Sequence, residues 1–149
     1  MSTTTVVPII SSMANPAGAG FQRPLFVLFT SPDRTLKALQ RARELAEPIG
    51  GRVVILATQI VPYQLPLDEA TVPMEFVLKR FAETAAQLYP HISIVGYLCR
   101  DRMEALKQIL SPNSPVLIGI RKRWWKTQDE KLADTLRGAG FAVLQIDAE

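Results

Sequence analysis

Residues Ser114 to Lys126 read Ser-Pro-Val-Leu-Ile-Gly-Ile-Arg-Lys-Arg-Trp-Trp-Lys, and the fold is decided there. The short uncharged run Val116 to Ile120, opened by Pro115, has the composition of a strand buried on both faces. Six residues follow that are all basic or indole: Arg121, Lys122, Arg123, Trp124, Trp125 and Lys126. Thr127-Gln128-Asp129-Glu130 then opens a helix, with Thr127 and Glu130 spaced as a capping box. A buried strand running into a cationic loop and a helix start is the arrangement at which open parallel α/β sheets bind ligands.

Working outward, Leu132, Ala133 and Leu136 mark the buried side of that helix, Gly138 and Gly140 bracket its exit, and Phe141 to Ile146 is the last strand. Upstream, the first strand is Pro24 to Thr30. Ser31 or Asp33 caps a helix running from about Arg34 to Pro48, with Leu36, Leu39, Ala42, Leu45, Ala46 and Ile49 on its apolar side. Gly50-Gly51 ends it. Arg52 to Ala57 is the second strand, and a long link with Pro62 and Pro66 follows. Thr71 and Pro73 start a second helix whose stripe is Met74, Val77, Leu78, Phe81 and Leu88. Ile92 to Leu98 is the third strand. Asp101 with Glu104 caps a third helix that turns Met103, Leu106, Ile109 and Leu110 inward. The order β-α-β-α-β-α-β-α-β, with right-handed crossovers, predicts a parallel sheet covered by helices. Met1 to Gln22, rich in Ser, Thr, Ala, Gly and Pro, reads as a mobile arm before a single domain spanning 23–149. Val6 to Ile10 is its one apolar patch, either docked on a partner or poorly ordered.

Composition narrows the function classes. The chain has 149 residues, 48% hydrophobic and 21% charged, an ordinary globular balance. A net charge of +3 makes an anionic partner plausible locally but does not identify a nucleic-acid binder, and nucleic acid is not the expected partner. One cysteine, Cys99, and one histidine, His91, exclude an intrachain disulfide and multi-ligand Cys or His metal sites. No apolar run reaches the roughly 18 residues of a membrane span. The absence of Lys or Arg before Arg23 argues against a secretory signal, and a cytoplasmic address is expected.

The alternation and lengths from Arg23 to Ile146 resemble a universal stress protein domain. So do the first-helix stretch Ala38 to Ala46 and the segment from Val116 through Gly119 to the last strand. The resemblance implies five parallel strands ordered 3-2-1-4-5, with the first and fourth at the switch point, and homodimers formed through the last strand by Phe141 and Val143. Its nucleotide-binding members carry Gly-x2-Gly-x9-Gly followed by Ser or Thr. Here Gly119 fills the first position, Lys122 and Leu132 stand at the others, and Ala133 follows; Thr30 stands where the family has Asp. ATP or AMP is thus the implied ligand of a motif this chain matches at one glycine of three, and no cofactor is assigned.

For the cofactor-binding crevice the candidate residues are Thr30, Ser31, Gly119, Arg121, Lys122, Arg123 and Thr127, with Arg34 and Arg100 contributing charge and helix N-termini adding their positive ends. The alternative is a solvated basic loop. Trp124 and Trp125 are candidate partner-binding residues, with membrane-interface and packed readings beside that one. Cys99, beside Arg100, is either a thiol of lowered pKa or a small core residue. His91 reads as a turn residue, and no catalytic triad is supported. The expectation is a non-enzymatic regulatory or protein-interaction module, homodimeric. A nucleotide or phosphate binder using the basic loop and an accessory subunit of a larger complex are the alternatives.

Overall fold

The computed structural model describes residues 7–13, 24–60, 72–110, 114–121 and 127–147. In chain order the elements are β1 (Val7–Met13), β2 (Leu25–Leu28), α1 (Pro32–Ala46) with a short 3-10 turn at Glu47–Ile49, β3 (Val53–Ile60), α2 (Val72–Leu88), β4 (Ile92–Cys99), α3 (Arg102–Ile109), β5 (Val116–Ile120), α4 (Gln128–Gly138) and β6 (Val143–Asp147). The strands form one sheet in the order β1-β4-β3-β2-β5-β6. The five strands β2 to β6 pair in parallel and stand in the order 3-2-1-4-5. Leu28 of β2 lies opposite Ile118 of β5, so the sheet reverses its direction of winding between these two central strands.

The sixth strand corrects the arm reading. Val7–Met13 pairs antiparallel with β4, from Val7 opposite Leu98 to Met13 opposite Ser93, so this segment belongs to the chain's own sheet. Its register slips between Pro8 and Ile10. Proline brings no N–H to a ladder, and a slip beside it on an edge strand follows from that. The segment escaped the sequence reading because its Ser, Thr and Pro content imitates a tail, while an edge strand needs only one paired side.

Two cores follow from the period-2 alternation of the central strands. Val27, Ile55, Ile94 and Leu117 face α1 and α2, where Leu39, Leu78 and Phe81 meet them. Phe26, Leu28, Leu56 and Ile118 face α3 and α4, against Leu106 and Leu136. Each large side chain buried there contributes about 1.5–3 kcal/mol by leaving water. The helix stripes differ from expectation at their margins. Leu45 and Ile49 are exposed, and Val77 is too, whereas Ala85, outside the expected stripe, is fully buried. Sheet twist carries the ends of a helix off the core, so a 3.6-residue period overstates the buried stripe.

Gly50 takes φ +63° at the cap of the 3-10 turn, the left-handed conformation expected of a glycine ending a helix. No described helix is long and apolar enough to cross a membrane.

Candidate functional site

The strand ends on which the site depends are brought together. Thr30 follows β2 and Gly119 lies in β5, and the Thr30 hydroxyl stands 3.5 Å from the Gly119 carbonyl oxygen. The Thr30 N–H donates to Thr35 Oγ1 at 3.0 Å, which fixes the strand-to-helix turn from inside, since Thr35 is fully buried. Ser31 is the N-cap of α1: its hydroxyl accepts from the Arg34 N–H at 3.3 Å and from Arg34 Nε at 3.0 Å. With both lone pairs engaged, Ser31 positions Arg34 and has no acceptor capacity left for a ligand.

Arg34 then reaches across the crevice. Its guanidinium meets Asp129 Oδ2 at 2.9 Å, tying the first turn of α1 to the first turn of α4. Gly119 makes the approach sterically feasible. A Cβ built at that position would overlap the Arg34 carbonyl oxygen and lie 2.8 Å from its carbon. The glycine therefore serves helix-to-strand packing, with α1 backbone where a side chain would project. Thr127 caps α4, accepting from the Glu130 N–H at 3.2 Å. Arg121 is exposed at the end of β5. Lys122, Arg123, Trp124 and Trp125 lie outside the described residues.

Beside this ion pair, over the carboxyl ends of β2 and β3, is a cavity of about 500 Å³ lined by Phe29, Thr30, Thr58, Gln59, Ile60, Val77, Arg102 and Asp129. That volume is within the about 300–1,000 Å³ usual for small-molecule sites. Sequence reasoning placed only Thr30 of these in a site. The sequence reading takes Asp129 only as part of the segment opening a helix and does not single out Arg102, and Gln59 lies two residues past the apolar run that ends at Ala57. The usable signal was position: all follow the carboxyl ends of strands or open the helices after them.

Arg102 opens α3, whose N-cap Asp101 accepts from the Glu104 N–H at 3.0 Å. Burial pushes the Arg102 guanidinium below its ordinary pKa, while Asp129 and Cys99 pull it back up. Among the described residues, Arg102 Nε and Gln59 Oε1 are buried without a hydrogen-bond partner. Cys99 is fully buried, and burial raises its thiol pKa against the lowering pull of Arg102. The activated-thiol alternative gives way to the core reading. His91 sits half-buried at the opposite end of the sheet, its ring edge-on to Tyr89 at 5.6 Å between centroids.

The glycine motif implied for a nucleotide triphosphate does not fit this frame. Its last glycine would fall at Leu132, a full turn inside α4, and the next residue, Ala133, is fully buried in the α3/α4 core. No backbone loop can form there to approach phosphates. At the last strand, Val143 is buried in the chain's own core and Phe141 packs against the same cluster, so neither side chain stands on an outer face.

The sheet order, the reversal between β2 and β5 and the crevice outside their carboxyl ends define a doubly wound α/β domain, a class in which ligands bind at the switch point. Within that class, the chain has the universal stress protein fold. It superposes on a universal stress protein from Archaeoglobus fulgidus with a TM-score of 0.64 at 16% identity, covering 85% of this chain and 94% of that one. A universal stress protein family member from Burkholderia pseudomallei gives 0.55 at 17% identity, over 83% and 94%. A universal stress protein solved in complex with cAMP gives 0.53 at 14%, over 84% and 98%. No protein-family model and no curated protein matches the chain.

Proposed function

We propose that this chain is a non-enzymatic regulatory module of the universal stress protein type, in which a small ligand enters the crevice and a protein surface reports its presence. The observation that carries this reading is the Arg34–Asp129 ion pair, which joins α1 and α4 across the crevice beside the cavity. α4 is in turn tied to the sheet edge, because the Arg137 guanidinium donates to the Val143 carbonyl oxygen at 2.9 Å. A ligand that disturbs Asp129 therefore acts on a helix anchored to β6, the strand through which we place a homodimer. Such an arrangement would couple the cavity to that proposed interface through one element, as a reporter requires.

Native mass spectrometry of the purified chain tests this in one measurement, reporting copy number and any retained small molecule together. Two copies carrying a ligand that is lost on Asp129→Asn is the expected result. A monomer with no bound molecule, or steady turnover of a nucleotide, would overturn the reading.

A second reading has support from the likeness to the cAMP-bound protein and from Arg121 at the end of β5: a nucleotide or phosphate held by the basic loop Arg121, Lys122 and Arg123 in place of a glycine loop. Thermal stabilisation by AMP or ATP that weakens in Arg121→Ala and Arg123→Ala would favour it.

A further inference from the structure

β1 and β4 differ in what they carry against unwanted pairing. β4, Ile92-Ser93-Ile94-Val95-Gly96-Tyr97-Leu98-Cys99, has no charged residue and no proline in its eight positions. Its register with β3 runs unbroken from Ile92 to Cys99. Edge strands are kept from pairing with other chains by charge, proline, a bulge or short length. β4 has none of these and reads as an interior strand. β1 carries what β4 lacks, Pro8 and a register slip beside it.

The backbone fixes which groups β1 covers. The Val53 N–H donates to the His91 carbonyl oxygen, so residue 91 faces β3. By alternation Ile94, Gly96 and Leu98 turn their N–H and C=O groups the other way. There they stand opposite Ser12, Ile10 and Val7 of β1. Without β1 these groups form an open ladder on an uncharged strand, the kind of segment that pairs with other chains. The five parallel strands keep every pairing of their own without it. Those five already make the universal stress protein fold, so β1 is an addition to a sheet complete in itself.

A second copy of the chain fits the β4 edge. Two copies related by a two-fold axis meet with their β4 strands antiparallel, the direction β4 already accepts from β1. Uncharged residues then stand opposite uncharged residues, and no like charges oppose along the ladder. We propose that the outer edge of β4 is a self-pairing surface of this chain, and that β1 is the guard that holds it closed. With β1 seated, Pro8 and the register slip blunt that side of the sheet, and β6 is the edge left to pair. With β1 released, both sides can pair, and two such edges on opposite sides of one sheet do not close on each other. Assembly then runs beyond a pair. The β4 surface stands on its own observations. Only the step from a pair to longer assemblies rests on β6 as an interface.

Proline substitutions in the full chain test this. Ile10 and Ser12 turn their N–H groups toward β4, and Ser11 turns away. Ile10→Pro combined with Ser12→Pro therefore takes two donors from the guard, and Ser11→Pro takes none. Hydrogen exchange over residues 7–13 reads whether β1 is seated, and sedimentation velocity in reducing buffer reads size without any part for Cys99. The double variant should exchange at least about tenfold faster over 7–13 and, as concentration rises, sediment as species larger than wild type. Ser11→Pro should match wild type in both. A synthetic peptide of residues 5–15 added to the double variant should restore the wild-type size, and a scrambled peptide should not. That rescue separates an open edge from a misfolded chain. Adding Gln145→Pro, which takes an outward N–H from β6, should stop growth at a pair. Larger species that the peptide does not reverse, or no gain in size once exchange is fast, would overturn the proposal. Unchanged exchange over 7–13 would overturn it too, because β1 would then owe nothing to those bonds. A double variant that stops at a pair with or without Gln145→Pro would keep the β4 surface and remove β6 as an interface.

Discussion

Gly119 and Arg34 show how one missing side chain positions a charge. The α1 backbone at Arg34 occupies the space a Cβ on residue 119 would need, with its carbonyl carbon 2.8 Å from that point. Gly119→Ala must push α1 away from β5 or strain the turn, and neither backbone can yield by rotating a side chain. The expected cost is about 1–3 kcal/mol, as for other overpacked sites, and the Arg34–Asp129 pair should loosen with it. A urea unfolding midpoint unchanged from wild type would contradict this. Tyr89 makes the opposite case, of a polar atom satisfied inside the core. Its hydroxyl donates to the Gly51 carbonyl oxygen, and its ring is almost fully buried. Burial first, and the Glu47 carboxylate second, push its pKa above the ordinary value of about 10. The folded chain therefore holds this proton to higher pH than the unfolded chain does. The associated stability is present in full below about pH 10 and is lost as pH rises through the folded value. Tyr89→Phe should cost about 1 kcal/mol at pH 7 through the lost hydrogen bond. It should also unfold with a shallower stability decline than wild type above about pH 10. Cys99, whose thiol is also raised, contributes equally to both chains and cancels in the comparison.

Elements were legible in the sequence where local chemistry and tertiary packing agree. The capping residues Asp101 and Thr127 are found in their expected bonds, because a cap is decided within four residues. The central strands announce themselves as uncharged runs, since burial on both faces leaves no polar period to confuse them. β1 could not be seen this way. Its pairing is with β4, some 80 residues on in the sequence, and its register break at Pro8 hides the alternation. The cavity was illegible for a related reason. Gln59, Arg102 and Asp129 come from three different crossovers, and no spacing along the chain links them. What sequence could supply was the end of the sheet at which they gather, given by the switch between β2 and β5. The basic loop drew attention by its composition. Of the charged residues described there, Arg102 and Asp129 line the cavity and Arg34 pairs with Asp129 beside it.

At the scale of the molecule, the two edges of the sheet are treated differently. On one side β1 closes β4 with an antiparallel ladder, and on the other β6 is the outermost strand. The Ala142 carbonyl accepts from the Val116 N–H, turned toward β5, so by alternation the backbone groups of Val143 and Gln145 face outward. Arg137 already occupies the Val143 carbonyl with two donors, at 2.9 and 3.2 Å. That blunts the edge at its start and leaves the Gln145 region, beside exposed Leu144, as the place for a second copy to pair. The proposed dimer through this edge would therefore rest on the backbone of β6 and on Leu144, while Val143 stays in the core and half-buried Phe141 packs against it. Gln145→Pro removes one outward N–H and no bond to β5, so the fold should survive while self-association weakens at least tenfold, about 1.4 kcal/mol. Sedimentation equilibrium on the two chains decides it. A proline variant as dimeric as wild type would move the interface elsewhere, and a wild-type chain that stays monomeric at every concentration would remove β6 as the surface that reports the crevice.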